Sequence, residues 1–323
     1  MKRISKILAA ISFALVSVFA PASIAYADEG EKPAVWLQIS PVANRVVLDP
    51  GVEITDKMEV DNIGSKKFKF RVYATPYTIA NEAYEVNFNT DTNRTQISRW
   101  ISFNQNKDAK KDSEKKWQNE VVFELEPNGR QEVEYKISVP KDIPDGGQYA
   151  TIFAESVPEE TSGATGVRTI SRVGLILYGR TNGETVETAE ISNFSMRSFI
   201  TSGKIAAEVD IENKGNTDFV ATVSMKIDKV IGGTVAELNN PYPVIPDSPK
   251  RHAVLEWEDT PIFGIFKVHT TIKAADKTIE ESKLVLILPV WIIVIMLVLL
   301  TIIIAWLIIL IRKRRAQKSR LIV

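Results

Sequence analysis

Along most of this chain apolar and polar residues alternate one for one. Val52, Ile54, Met58 and Val60 are separated by polar positions, as are Phe68, Phe70 and Val72. The same rhythm returns at Val121, Phe123 and Leu125, at Val133, Tyr135, Ile137 and Val139, at Ile205, Ala207, Val209 and Ile211, and at Val223, Met225 and Ile227. A period of two places alternate side chains on opposite faces, the mark of half-buried antiparallel strands. Turn residues punctuate the runs at Asp49-Pro50-Gly51, Pro127-Asn128-Gly129, Pro144-Asp145-Gly146-Gly147 and Thr181-Asn182-Gly183. The segment Lys107–Trp117 reads as a short helix or a solvated loop. Many short strands with regular turn signals predict an all-β chain of immunoglobulin-like sandwiches.

A repeat sets the number of sandwiches. Glu59-Val60-Asp61-Asn62-Ile63-Gly64 followed by Phe68 matches Asp210-Ile211-Glu212-Asn213-Lys214-Gly215 followed by Phe219. Each copy reads as a strand, a tight Asn-x-Gly hairpin and a second strand re-entering the core on its Phe. Two domains in tandem follow, at 28–184 and 185–288, joined near Asn182-Gly183-Glu184.

The alternation breaks at both ends. Lys2, Arg3 and Lys6 precede an apolar run from Ile7 to Ala20, and Ala25-Tyr26-Ala27 precedes Asp28-Glu29. That order predicts a secretory signal peptide over 1–27, cut between Ala27 and Asp28, with an uncleaved N-terminal anchor as the alternative. From Leu284 to Ile311 no residue is charged. Pro289 divides this run into the end of a strand and a membrane helix over 289–311. Trp291 takes an interfacial position, whereas Trp306 lies deeper. The tail 312–323 holds Arg312, Lys313, Arg314, Arg315, Lys318 and Arg320 and no acid. Basic flanks stay cytoplasmic, so the first four act as the stop-transfer signal. The predicted topology is a single pass through the cell membrane, N-terminus outside and C-terminus inside.

Charge sharpens this picture. The formal net charge of zero hides a segregation: all 40 acidic residues lie within 28–283, with 31 of the 40 basic ones, leaving that region at −9. Such a surface excludes a nucleic-acid binder, which needs a positive face. Cysteine is absent, so no disulfide staples the domains and no lipidated cysteine anchors them. Leu288-Pro289-Val290-Trp291 is not a sortase signal either, which leaves the helix as the anchor.

The order of landmarks in the first domain is Leu48-Asp49-Pro50-Gly51, the Asn-x-Gly turn, Trp100-Ile101, Leu125-Glu126-Pro127-Asn128-Gly129, Ile137-Ser138-Val139-Pro140 and Gly146-Gly147-Gln148-Tyr149. It resembles the peptidoglycan-binding, immunoglobulin-like first domain of the WxL-interacting proteins of Gram-positive surfaces. The layout of signal peptide, two domains, helix and basic tail resembles that family as well. The second domain matches only in its Asn-x-Gly turn and strand pattern. The resemblance implies peptidoglycan or wall-polymer binding by the first domain.

Chemistry is sparse. His252, placed in a loop, and His269, placed in a strand over 264–274, have no metal-binding spacing, and no cofactor motif is present. A non-enzymatic protein is expected. Trp100, Phe103 and Trp117 flank a lysine-rich segment containing Lys115 and Lys116. Aromatics for sugar stacking beside basic residues for an anionic wall polymer make these five the candidate ligand-binding residues; the alternative returns the aromatics to the core. The leading reading is a membrane-anchored surface adaptor or adhesion protein binding wall glycan, a surface protein or both. Its rivals are a chaperone-like component that assembles surface proteins and an anchored wall-glycan hydrolase.

Overall fold

A computed structural model of the chain describes residues 33–106, 108–109, 111–158 and 170–320. Residues 1–32, which contain the predicted cleavage site at Ala27 and Asp28, lie outside the described residues, as do Lys107 and Lys110. The first sandwich contains β1 (Leu37–Ser40), β2 (Ala43–Leu48), β3 (Glu53–Asn62), β4 (Phe68–Pro76), β5 (Thr78–Ile79), β6 (Val86–Asn87), β7 (Ile101–Asn104), β8 (Trp117–Gln118), β9 (Glu120–Leu125), β10 (Arg130–Ser138), β11 (Gly147–Val157) and β12 (Arg172–Thr181). A sheet ordered β1-β3-β10-β7-β8 forms one layer and β2-β12-β11-β4-β9 the other. The second sandwich contains β13 (Ala189–Met196), β14 (Phe199–Ile200), β15 (Ile205–Asn213), β16 (Phe219–Lys229), β17 (Thr234–Val244), β18 (Arg251–Trp257), β19 (Gly264–Ala274) and β20 (Lys277–Ile287). Its layers are β13-β15-β18 and β14-β20-β19-β16-β17. Tandem immunoglobulin-like sandwiches are therefore present, each with its own core.

The cores follow the alternation. Val121, Phe123 and Leu125 of β9 and Val133, Tyr135 and Ile137 of β10 fill the first, with Phe70 and Phe103 wholly enclosed. Ile205 to Ile211 of β15 and Val223 to Ile227 of β16 fill the second on alternate residues. Strand β11 departs from period two because both its faces are covered. Its outer face lies beneath the excursion after β4, where Phe88 meets Phe153 edge-on at 4.8 Å and Tyr77 joins Tyr149 and Tyr178.

The repeat corresponds to the same structural feature in both domains, but it is not a hairpin. β3 and β4 belong to opposite layers, as do β15 and β16, so each Asn-x-Gly carries the chain across the sandwich. The asparagine organises the crossing. Buried Asn62 donates through Nδ2 to the carbonyls of Lys66 (2.9 Å) and Glu126 (3.0 Å), and its Oδ1 accepts from the Gly64 N–H at 3.0 Å. Asn213 likewise donates to Thr217 (2.9 Å) and Val244 (3.0 Å) and accepts from Gly215 at 2.8 Å. Neither glycine adopts a positive φ. Each is small because the segment entering its domain passes against it: a Cβ on Gly64 would lie 2.8 Å from the Ala34 carbonyl oxygen, and one on Gly215 would lie 2.0 Å from that of Val186.

After β20 only Leu288 and Pro289 precede a helix running Val290–Arg320. Its first 22 residues, Val290–Ile311, are long and apolar enough to cross a membrane. At 1.5 Å per residue they span about 33 Å, the thickness of a hydrocarbon core. Arg312, Lys313, Arg314 and Arg315 continue the same helix beyond that apolar stretch.

Candidate functional site

The structure divides the five candidate residues. Phe103 on β7 is fully enclosed in the first core, and Trp100 packs against that core from the preceding turn. Enclosure of Phe103 corrects the expectation for that residue, since strand alternation turns it inward with Ile101; Trp100, at the end of the 3-10 turn before β7, is half-buried. Trp117 on β8 is half-buried, with the ammonium groups of Lys136 and Lys115 at 4.9 and 5.8 Å from its ring centroid. Lys115 is bound in turn to Glu134 at 2.7 Å and Asp112 at 2.9 Å. Glu134, then Asp112, holds the Lys115 amine above its ordinary pKa. Its charge is thus spent within the domain. Lys116 is exposed, its backbone N–H fixed to Asn104 Oδ1. Among its described residues the lysine segment holds one short 3-10 turn, Asp112–Glu114, in an otherwise irregular and mostly exposed stretch.

The histidines sit on sheets. His252 belongs to β18 rather than a loop, its Nδ1 2.7 Å from Asp210 Oδ1. His269 on β19 stands between Ser282 Oγ (2.6 Å from Nδ1) and Asp228 Oδ2 (3.7 Å from Nε2). This Ser-His-Asp line lies on an open sheet face. The strands beneath it, β16, β19 and β20, pair residue by residue, so their N–H groups are committed to the ladder and do not converge on an oxyanion. Among the described residues no group of three or more His, Asp or Glu is arranged to hold a metal ion.

Another feature has the character of a binding site. The chain leaves the first layer after β1 and rejoins the opposite one as β2. β2 pairs with β12 only from Ile176 to Thr181. The first part of β12, Arg172–Leu175, pairs with β11 on one side, and among the described residues no strand pairs with it on the other. Ladder alternation, set by the bond from Ser156 N–H to the Ser171 carbonyl, turns the N–H and C=O of Arg172 and Gly174 toward that open side. Beside it runs an apolar groove of about 470 Å³ lined by Trp36, Leu37, Ile39, Val42, Ile63, Val173 and Gly174. Trp36 is 48% exposed and Val42 68% exposed. No sequence signal pointed to this site.

The two domains meet through a polar and aromatic junction. Tyr77, Tyr149 and Tyr178 of the first enclose Ile245 of the second, with Tyr84 alongside. Arg45 binds buried Asp218 at 2.5 Å and lies over Tyr178, while Arg94 binds Asp247 at 2.9 Å. Arg251 returns the arrangement from the second domain, its guanidinium 4.1 Å from the Tyr84 ring centroid. The Gly147 N–H donates to the Asn216 carbonyl at 2.7 Å. Burial pushes the hydroxyls of Tyr77, Tyr84, Tyr149 and Tyr178 above the usual tyrosine range. A cleft of about 490 Å³ between Thr78–Arg94 and Ile245–Ser248 opens on one side of this junction.

No protein-family model matches the chain, and no curated protein matches it. Solved structures of similar architecture include a chaperone–tip adhesin complex of CFA/I fimbriae biogenesis, at 12% identity and a TM-score of 0.36, covering 78% of this chain and 99% of that one. The Pseudomonas aeruginosa CupB2 chaperone is similar at 13% identity and a TM-score of 0.34, covering 75% and 97%. The Salmonella enterica SafA pilin–SafB chaperone complex yields a match at 12% and 0.34, covering 76% and 96%. Superpositions this loose say nothing of ligand or partner.

Proposed function

We propose that this chain is a membrane-tethered holding protein of the cell surface. It takes up an extended segment of a surface-protein partner as an added strand on β12. The observation carrying this reading is the edge of Arg172–Leu175, unpaired among the described residues, beside the Trp36–Val42 groove. Main-chain groups on an open edge supply affinity in strand addition, and apolar pockets for alternate side chains supply specificity. An exposed tryptophan at the rim is the residue type that dominates binding energy at protein interfaces. The assembly reading is favoured over wall-glycan binding at Trp100 and Phe103, because Phe103 is enclosed and Trp100 is packed partly against the core. The basic residues after Ile311 support a cytoplasmic C-terminus, which places both sandwiches outside the cell.

Photo-cross-linking in cells tests the reading. A photoreactive residue at position 36 is expected to give one discrete protein adduct, lost when Val42→Asp places a charge in the groove. The same probe at Glu237, on the second domain, should give no such adduct. Equal labelling at both positions, or an adduct indifferent to Val42→Asp, would refute strand capture. Saturable pelleting of the chain with purified peptidoglycan, in the absence of a groove adduct, would return the function to wall-glycan binding.

A further inference from the structure

Strand register fixes which end of the second sandwich meets the membrane. Gly264 pairs with Ile287, Lys229 with Phe266 and Phe199 with Leu286. The β16–β17 tip, the β18–β19 connection and β14 therefore lie together at the end from which the helix departs. The opposite end carries Asp218, Ile245 and Arg251 and is occupied by the first domain.

Exposed apolar residues gather at the helix end. Of eleven large hydrophobic residues the second domain exposes, seven lie there. Ile231 is 92% exposed at the β16–β17 tip, and Ile262 and Phe263 are 70% and 64% exposed in the β18–β19 connection. Phe199, Ile265 and Leu284 continue the patch up the outer face of the sheet. Single exposed hydrophobics need no explanation, but a contiguous group at one end marks an interaction surface. Charge at this end is mixed rather than strongly one-signed: Lys204 pairs with Glu256 and Glu258.

The connection to the helix allows little swing. The Leu288 N–H bonds to the Ile200 carbonyl at 2.8 Å, and the Ile292 N–H to the Pro289 carbonyl at 3.0 Å. Sheet bonding thus passes into helix bonding within a few residues. Leu284 lies three residues above Ile287, about 10 Å at strand rise, so the patch falls at the depth of the headgroup layer once the helix crosses the bilayer.

We infer that this end of the second domain is seated in the headgroup–acyl boundary of the bilayer its own helix crosses, with Ile231 and Ile262–Phe263 inserted as apolar tips. The ectodomain then stands on a footing instead of swinging from a tether. Interfacial anchors of this kind fix tilt and rotation of the adjoining helix. The inference rests on the helix spanning the bilayer and is independent of the groove on β12.

The absence of cysteine makes the test direct. The full chain, carrying Ile231→Cys, Phe263→Cys, Asn240→Cys or Leu297→Cys, is labelled with an environment-sensitive fluorophore and reconstituted into phosphatidylcholine vesicles. Nitroxide-bearing phosphatidylcholine serves as the quencher. Emission from positions 231 and 263 should shift to the blue and fall at least twofold with nitroxide near the headgroup, while position 240 stays unquenched. Thermal unfolding of the unlabelled variants should match the parent, because all four sites are surface positions. Water-like, unquenched signals at 231 and 263 beside a quenched Leu297 site would overturn the footing alone. An unquenched Leu297 site would overturn the membrane-spanning helix and the footing with it.

Discussion

Replacing Asn62 by alanine tests the account of the repeat most directly. Asn62 is completely buried, and its amide satisfies the carbonyls of Lys66 and Glu126 and the N–H of Gly64, with the Leu125 carbonyl at a longer 3.4 Å. Alanine leaves the buried Gly64 N–H and the half-buried Lys66 carbonyl without their partner, while the Glu126 carbonyl keeps its bond from the Gly129 N–H at 2.9 Å. Each orphaned group costs about 1–3 kcal/mol when water cannot reach it. Two such groups, one of them within reach of water, bring the expected loss to about 2–4 kcal/mol. For a domain of this size each kcal/mol lowers Tm by about 2–4 °C, so a fall near 10 °C is expected in the first domain's transition. Asn62→Asp keeps the acceptor for Gly64 but aims an anionic oxygen at carbonyls, and it should do no better. Calorimetry of the solubilised full chain measures the shift. Hydrogen exchange then assigns it: β3, β4 and the Glu126 turn should lose protection while β15 and β16 keep theirs. Asn213→Ala should reverse that pattern. A cost under about 1 kcal/mol for Asn62→Ala would show that the asparagine follows the crossing rather than building it.

Other outcomes probe the junction and the glycines. Gly215→Ala should destabilise the second domain by more than Gly64→Ala does the first, because the added Cβ meets the Val186 carbonyl oxygen at 2.0 Å against 2.8 Å at Gly64; paired denaturant titrations measure this. Gly146 has φ +98° and lies against the Asn216 carbonyl of the other domain, so Gly146→Ala should pry the domains apart, read as faster proteolysis at 182–188. Arg251→Gln removes the cation over Tyr84 and should loosen the same junction by about 1 kcal/mol, visible as increased exchange at Tyr84 and Ile245. The four junction tyrosines have hydroxyl pKa values raised by burial, so the unfolded chain releases these protons first. Their contribution is complete below the ordinary tyrosine pKa of about 10 and is lost as pH rises from there toward the folded values. Tyrosinate absorbance should therefore appear together with domain separation; ionisation of these four in an intact junction would contradict their burial.

Much of the fold was legible because period two survives wherever one face is buried and the other is wet. β9, β10, β15 and β16 show it cleanly. The misreading of Asn62 and Asn213 has a physical origin. Asn-x-Gly suits a hairpin locally, and only the pairing of distant strands reveals that the next strand belongs to the other layer. β11 escaped the alternation for a similar reason, since its second face is covered by residues some seventy positions earlier. Phe103 was misread because a ring in an alternating strand serves a core as readily as a ligand, and sequence alone does not say which parity faces inward. The groove could not be read at all: it is a gap left where the chain changes layers between β1 and β2, bounded by a strand more than a hundred residues downstream.

On the proposed footing, groove, junction and helix end form one mechanical series, which bears on the open edge. A free strand edge on a soluble domain is a liability, prone to pair with any other edge it meets. Here the open part of β12 is the end farthest from the junction, since Thr181 at its other end adjoins Gly146 through the bond from the Thr181 N–H to the Gly146 carbonyl. The ten residues of β12 and the eleven of β20, placed end to end, put that edge at most about 70 Å from the start of the apolar helix. The bonded exit through Leu288 and the tyrosine–arginine junction keep that height from collapsing. Two neighbouring copies seated in one membrane would then present their edges at the same height and in the same direction. Antiparallel pairing of those two edges requires one of the copies to invert, which its helix forbids. A partner segment arriving from the side meets no such constraint and can pair in the antiparallel sense that two upright copies cannot reach.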